Sequence, residues 1–545
     1  MTLINKIKLK LSDRNVTVFI ILAAITGRII QLLYFFNIRL DASHQFIATQ
    51  NFVNGHGITM ATAYGSDISS TVYEPLINWP PGYSILLSPF YVLFKGNYVA
   101  AGLCLGILAA ILLILVSRSI LKLLDVPLYL ININTLISGF IIYFFYFIAS
   151  SDAVAISLGL LAIYYCLLLL KSNEGWIKKI IGITIPLLFC GVIKYLFIPT
   201  IFAIPFFLIW KGITNKNRIL IKSGGYITVI LVGILGALLL WQKSISGTAA
   251  YISQPGRGFF PDNLLSFFPF IPGSFLKPDT AAMLLRKDPA TASSMLVVFQ
   301  YIHFFFLAVL SVIFIKKILT TGIKKSTPAG NFLYLTFFTA AAICVLLTIL
   351  SLMVEKERWD SGQLWTYIED QRYYGLPIVM IQLSFFIFYH HYRSHLSRFY
   401  RYFLNFLFLL LLIEAARGMI FSAKRITLFQ KEEYSWQSEY RFQQYADNII
   451  QEALRKQPAA SVVVGGPFRY FNHRVCLYSN AALLDNPEEN LNNYQSLKVS
   501  KTTLLLVILE EKDFARYQTF LSAKKNEVAG QFDRLYFYTV YVTPN

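Results

Sequence analysis

Apolar residues run through this chain in long blocks rather than in strict alternation or narrow helical stripes. Runs of about 17–25 apolar residues have the length of a membrane-crossing helix. Eleven such segments are read, at roughly 16–36, 97–116, 128–148, 153–170, 180–192, 194–210, 224–242, 297–315, 331–354, 373–389 and 402–420. The pattern predicts a polytopic α-helical membrane protein with about eleven transmembrane helices. The fifth and sixth segments are short and are split near Gly191, so they read either as two spans or as a hairpin that does not cross. The first is followed by Arg39 and Asp41 instead of a small-residue cleavage site, and reads as a retained span.

Two stretches break this rhythm. Between the first two spans, Ala48, Asn51 and Phe52 fall at helical spacing, which predicts an amphipathic helix over 42–54 lying on the membrane surface. Gly55 would end it through a left-handed cap. The breaker Trp79-Pro80-Pro81-Gly82 precedes a run at 83–94 that is too short to span, and a second interfacial helix is expected there. From residue 421 charges of both signs return. An amphipathic helix is expected over 432–457, strands over 461–464, 475–478, 502–509 and 535–542, and a helical stretch near 511–524. The expected organisation is a transmembrane domain over 1–420, with an outer loop 37–96 carrying interfacial helices, and a small extracytoplasmic α/β domain over 421–545. Its strand runs lack clean alternation, as in a sheet covered on both faces.

Composition agrees: 56% of residues are hydrophobic and 14% charged, well below the charged content of about 25% in soluble domains. A soluble enzyme and a disordered chain are excluded. The net charge of +19 would suggest nucleic acid in a soluble protein, but its distribution says otherwise. With the amino terminus inside, the inner segments are 1–15, 117–127, 171–179, 211–222, 316–325 and 390–401. They hold 20 Lys and Arg against only Asp13, Asp125 and Glu174, and so +17 of the +19. This is the positive-inside asymmetry of a multi-pass protein of the cytoplasmic (inner) membrane. The amino terminus is then cytoplasmic, and no nucleic-acid partner is expected. The long segments 37–96, 243–296 and 421–545 fall outside, so any chemistry faces outward.

Five scattered cysteines, at 104, 166, 190, 344 and 476, form no zinc or disulfide pattern. His44 and His56 lack a second ligand pair, and His390, His391 and His395 flank a span on the cytoplasmic side. Gly465-Gly466-Pro467 follows a strand run without a nucleotide-binding pattern. Charges inside spans are costly and pair or line cavities. Arg28 in the first span and Glu414 with Arg417 in the last are therefore notable, and an Arg28–Glu414 pair is one arrangement.

The first outer segment opens on Arg39-Leu40-Asp41-Ala42-Ser43-His44-Gln45-Phe46 and passes through Asn54-Gly55-His56-Gly57 to Glu74 and then Trp79-Pro80-Pro81-Gly82-Tyr83. An Asp just after the first span, an Ala-Asn-Gly-x-Gly helix, and a Trp-Pro-Pro-Gly-Tyr turn before a long span resemble the GT-C superfamily of membrane glycosyltransferases. More narrowly, they are similar to its bacterial protein-mannosyltransferase/ArnT-like group. The likeness is best over 16–120, looser to about 390 and only suggestive in the tail. It implies transfer of a sugar from a polyprenyl-phosphate carrier, at the outer membrane face, to an envelope lipid, glycan or protein.

The resemblance implies Asp41 as the catalytic base, at the water boundary where a lipid-borne sugar phosphate sits. By residue chemistry alone Asp41 also serves as a helix cap. Asp152, in the turn Ser150-Ser151-Asp152, is a helper or a cap for the span that follows. Lys194, at membrane depth, neutralises a donor phosphate or snorkels to the interface. Arg372 and Tyr373 are assigned to the lipid phosphate, with a solvated ion pair to Glu369 or Asp370 as the alternative. Glu74, Trp79 and Tyr83 are candidates for acceptor or loop contacts. The resemblance leaves a divalent metal ion open, because members differ in metal use. The rival class is a transporter or flippase of lipid-linked saccharides without transferase activity.

Overall fold

The computed structural model describes residues 10–34, 40–142, 151–247, 259, 327–352, 375–428, 436–467, 470–524 and 528–544. The expected span at 297–315, and Arg372 and Tyr373, lie outside the described residues. Among the described residues, eight helices are long and apolar enough to cross a membrane. Six of them are α1 (Arg14–Tyr34), α4 (Tyr98–Leu123), α6 (Ser151–Lys171), α7 (Trp176–Ile193), α9 (Arg218–Ser246) and α10 (Pro328–Leu352). The others are α12 (Arg398–Leu428) and α8 (Ile198–Thr214), which a short 3-10 turn at Tyr195–Phe197 precedes. Segments 180–192 and 194–210 are thus two full helices, parted by Lys194 and the 3-10 turn. Val229, Ile230, Val232, Leu240 and Trp241 stand exposed along α9. Such a face is unfavourable in water and suits lipid.

Three further apolar helices are shorter: α3 (Gly82–Leu93), α5 (Leu128–Phe140) and α11 (Gly375–His391). α5 was expected to run on to 148, but it stops at Phe140, where Ile141 turns extended at φ −57°, ψ 136°. Its 13 residues rise only about 20 Å. A helix ending at that depth must satisfy its last carbonyls within the protein. Arg28 of α1 does so, donating from Nε to the Ser138 carbonyl at 2.7 Å. Gln31 donates to the Phe140 carbonyl at 3.1 Å and to the Ser422 hydroxyl at 3.3 Å. Glycines let the backbones meet: a Cβ on Gly139 would overlap Ala24, and one on Gly418 would overlap the Phe140 carbonyl. Glu414 pairs with Arg417 of its own helix at 3.2 Å.

Contacts group the loops at two ends. At one end His391 meets the Leu124 carbonyl at 2.8 Å, Asn132 donates to Leu11 at 2.6 Å, and Asn217 reaches Asn173 at 3.5 Å. Arg118 also donates to Asn132 at 2.9 Å, so residues of the inner segments 1–15, 117–127 and 390–401 meet at this end, and 171–179 meets 211–222. At the other end Asn97 donates to the Tyr440 hydroxyl of the carboxy-terminal region at 2.5 Å. α3 begins against Val192, near the end of α7, and leads into Asn97, so both of its ends lie on that side.

The first outer segment differs from expectation in two ways. Helix α2 (Leu40–Val53) forms, but residues 42–51 are all buried, so it does not lie amphipathically on a surface. Its polar positions are covered by other parts of the chain: Asn51 donates to the Thr59 carbonyl at 2.8 Å, and Gln50 to the Leu477 carbonyl at 3.3 Å. A hairpin also follows it, β1 (Thr59–Tyr64) and β2 (Asp67–Pro75), where no strand was expected.

In the carboxy-terminal region α13 (Trp436–Lys456) buries Phe442, Ala446, Ile449, Ile450 and Ala453, one helical stripe. Strands β3 (Ser461–Gly465), β5 (Thr503–Glu510) and β7 (Leu535–Val542) match three of the four expected strands. The fourth, 475–478, is instead part of helix α14 (Tyr470–Ser479), because a short apolar run carries no period that separates helix from strand. β4 (Ala482–Leu484), α15 (Pro487–Asn492), α16 (Gln518–Lys524) and β6 (Val528–Phe532) complete the region. One sheet of seven strands results, in the order β2-β1-β4-β3-β5-β7-β6. β1 pairs parallel to β4 through Thr62↔Leu483 and Ala63↔Leu484, so the first outer segment supplies two of its strands. Along β5, Leu504, Leu506 and Ile508 enter the core shared with the membrane helices. Leu505, Val507 and Leu509 enter a second core on the other face. That double burial explains why the run shows no alternation.

Candidate active site

Asp152 stands in the first turn of α6, where the exposed N–H groups of the helix favour a carboxylate. Only 1% of its side chain is exposed. A charge buried this far needs a partner. Lys194 supplies it, with Nζ 2.8 Å from Oδ1. Lys194 reaches there because it occupies the break between α7 and α8, in extended backbone at φ −148°, ψ 113°. Pro199 in the first turn of α8 fits a helix start, where a missing N–H costs nothing.

Tyr83 is the third member. It is fully buried in the first turn of α3, and burial together with the Asp152 charge holds its hydroxyl well above the usual phenol range. The preceding glycine is needed there: a Cβ on Gly82 would lie 2.5 Å from the Val192 carbonyl oxygen, two residues before Lys194. The next residue, Ser84, donates to the Gln45 carbonyl at 2.9 Å, and Phe46 meets Tyr83 edge-on at 6.4 Å. Asp41 heads this same helix α2, one turn before Gln45. The structure therefore brings together Tyr83, Asp152 and Lys194, beside helix α2, whose second residue is Asp41.

Trp79 is placed one step away. Its ring stacks on His44 at 4.3 Å and 17°, and His44 in turn meets His473 of α14 at 4.3 Å. Sequence reading did not bring His44 and His473 together with Trp79. Both are buried where the outer loop, α2 and the carboxy-terminal region meet. Glu74 is not brought to this place. It lies on β2 and accepts from Thr62 at 3.2 Å and from Tyr64 across the hairpin. That bond pushes the Tyr64 hydroxyl up to about 12. Among the described residues no three of His, Cys, Asp and Glu stand together to hold a metal ion.

No protein-family profile matches the chain, and no curated protein does. Solved structures do. The chain is similar to ArnT from Cupriavidus metallidurans in the apo state, at 13% identity and a TM-score of 0.48, over 96% of this chain and 97% of that one. It is similar to the same protein bound to undecaprenyl phosphate, at 13% identity and a TM-score of 0.45, with the same coverage. It is also similar to the apo oligosaccharyltransferase of Archaeoglobus fulgidus, at 12% identity and a TM-score of 0.46, over 93% of this chain and 70% of that one.

Proposed function

We propose that this multi-pass protein is a GT-C-type glycosyltransferase. It moves a sugar from a polyprenyl-phosphate donor to an envelope lipid, glycan or protein at the outer face of the cytoplasmic membrane. The observation that carries this reading is the buried Asp152–Lys194 pair beside Tyr83, at the same end of the helices as the carboxy-terminal region. The opposite end gathers the basic segments, which supports a cytoplasmic amino terminus and an extracytoplasmic tail.

In this reading the Asp41 carboxylate takes the proton of the acceptor hydroxyl. The freed oxygen attacks the sugar's anomeric carbon, and the bond from that carbon to the phosphate oxygen breaks. Polyprenyl phosphate leaves with the bonding electrons, and the sugar inverts. Charge grows on the departing phosphate, where a cation stabilises the transition state most. Lys194 is that cation. Its ammonium has three N–H groups, so it can hold Asp152 and still donate to phosphate, and Asp152 fixes its position.

A transporter of lipid-linked saccharides is the second reading, and one observation speaks for it. Arg28, Gln31, Asn134, Ser138 and Gln382 are polar and buried among α1, α5 and α11. They are largely engaged in holding the end of α5 and each other, as in Gln382 donating to Asn134 at 2.8 Å. The test incubates purified protein with radiolabelled polyprenyl-phosphate sugars and envelope acceptors. The wild type transfers label, and Asp41→Asn remains inserted and folded while transfer falls by about 10²–10⁴-fold. Full activity in that variant removes the mechanism. Lipid-sugar flux in liposomes with no sugar transferred favours the transporter.

A further inference from the structure

Gln45 accepts from Ser84 through its backbone carbonyl, yet its side chain is anomalous. It is 1% exposed, and neither its carboxamide nitrogen nor its oxygen has a hydrogen-bond partner among the described residues. Buried amides are almost always satisfied. Its neighbours on α2 show the contrast: Thr49 donates to the Gln45 carbonyl at 2.7 Å, Gln50 to the Leu477 carbonyl, and Asn51 to the Thr59 carbonyl. A second orphan lies nearby in the fold. Oδ2 of Asp152 is buried and accepts no hydrogen bond among the described residues, while Oδ1 faces Lys194. The first turn of α3 connects the two, because Tyr83 feels the Asp152 charge and Ser84 bonds to Gln45.

We propose that the Gln45 carboxamide binds hydroxyls of the sugar carried by the donor lipid and sets which sugar is accepted. The inference rests on the glycosyltransferase reading and deepens it. A carboxamide both donates and accepts, which suits a hydroxyl or a vicinal pair of them, and suits a phosphate poorly. The order along the fold fits a lipid-phosphate sugar: the cation at Lys194, the orphaned Asp152 oxygen beside it, then Gln45, one turn along α2 from the base. The Gln45 position is tied to the reacting end of the donor, so the donor sugar is the ligand and not a remote part of the acceptor.

The test uses the full chain in detergent with undecaprenyl-phosphate-linked glucose, galactose and mannose, each beside a deoxy analogue, and with bare undecaprenyl phosphate. Binding is measured without acceptor, and transfer with it. Gln45→Leu fills the same space without an unmet polar group, and Gln45→Glu keeps an acceptor but no donor. Gln45→Leu is expected to melt at or above the wild-type temperature and to bind bare undecaprenyl phosphate unchanged. It should lose about 10- to 100-fold in kcat/KM on the preferred sugar donor, a change of the size that one or two hydrogen bonds make. Its preference for that donor over the deoxy analogue should collapse, a readout that a structural role would leave alone. A wild type that transfers sugar while Gln45→Leu keeps its rate and preference overturns this inference alone. A wild type that neither binds nor transfers any of the sugar lipids overturns both it and the reading beneath it.

Discussion

The carboxylate of Asp152 is almost wholly removed from water, and its stability there depends on one ammonium 2.8 Å away. Breaking a buried pair by deleting one partner strands the other charge. Lys194→Met should therefore destabilise the protein by about 3–5 kcal/mol. Asp152→Asn should cost less, because the Lys194 side chain keeps 14% of its surface exposed and can turn toward solvent. The double change Lys194→Met with Asp152→Leu should recover most of the loss, since an apolar pair leaves no buried charge. Thermal unfolding in detergent checks the order, and a Lys194→Met protein that melts like the wild type would show that the pair does not hold the fold. At this scale the sequence was informative where a residue stood out chemically. Asp152 and Lys194 are charges at span ends, and Tyr83 follows a Pro-Pro-Gly break, so each was noticed. Their mutual pairing was not legible, because it depends on how α6 and α7 pack. Gln45 carried no signal at all, being an uncharged residue within a helix whose burial only the fold reveals.

Among the helices, α5 shows most plainly how tertiary structure overrides an apolar run. The sequence stays apolar to about 148 and reads as one span, yet the helix ends at Phe140 because α1 and α12 press on its last turn. Gly418 of α12 lies against the Phe140 carbonyl, and Gly27 of α1 would place a Cβ 2.6 Å from the Phe140 ring. Gly418→Val should push α12 off α5 and cost about 1–3 kcal/mol by overpacking. Gly236→Ala on α9, with open space around it, should be neutral or slightly stabilising. Equal melting of Gly418→Val and wild type would overturn this packing. The carboxy-terminal elements show a complementary limit. Residues 475–478 were read as a strand because a short apolar run carries no period that separates helix from strand. The structure settles the matter by burying Val475, Cys476 and Leu477 together in one helix, with Asn472 donating to the Pro467 carbonyl at 2.7 Å. The β1–β2 hairpin was missed for a different reason. Its partner strand β4 lies more than 400 residues away, and its flanking runs are polar and threonine-rich, which masked the two-residue Gly65-Ser66 turn that joins them.

Across the whole molecule, that hairpin joins the carboxy-terminal sheet to the helices carrying the candidate site. The junction has a polar clasp at its outer corner. Ile68 donates its N–H to the Lys498 carbonyl at 3.0 Å, and Ser500 donates to Asp67 at 3.2 Å and to the Ser69 hydroxyl at 3.0 Å. The Ser69 hydroxyl, with Ser500, holds the Asp67 carboxyl below the usual carboxylate range. A depressed carboxylate contributes stability that is complete above its unfolded value of about 3.9. That contribution is lost as pH falls through the lower folded value. Hydrogen-exchange protection at Ile68 and Ser500 should therefore be steady from neutral pH down to about 4 and decline below it. Asp67→Ala should lower protection at both amides at neutral pH, match the wild type in acid, and remove the acid-dependent step. Ala63→Pro acts deeper. It distorts the β1 backbone where Ala63 accepts from the Asp485 N–H at 2.9 Å and faces Leu484 of β4. Its effect should spread to residues 482–485 and, through His44 and His473, to the stack beside Trp79. If that stack helps shape the candidate site, Ala63→Pro lowers transfer even though it lies outside the site. Asp67→Ala, confined to the outer corner, leaves transfer near the wild-type rate at neutral pH. Full transfer by Ala63→Pro, with protection lost at 482–485, would show that the sheet is carried by the membrane helices without governing them.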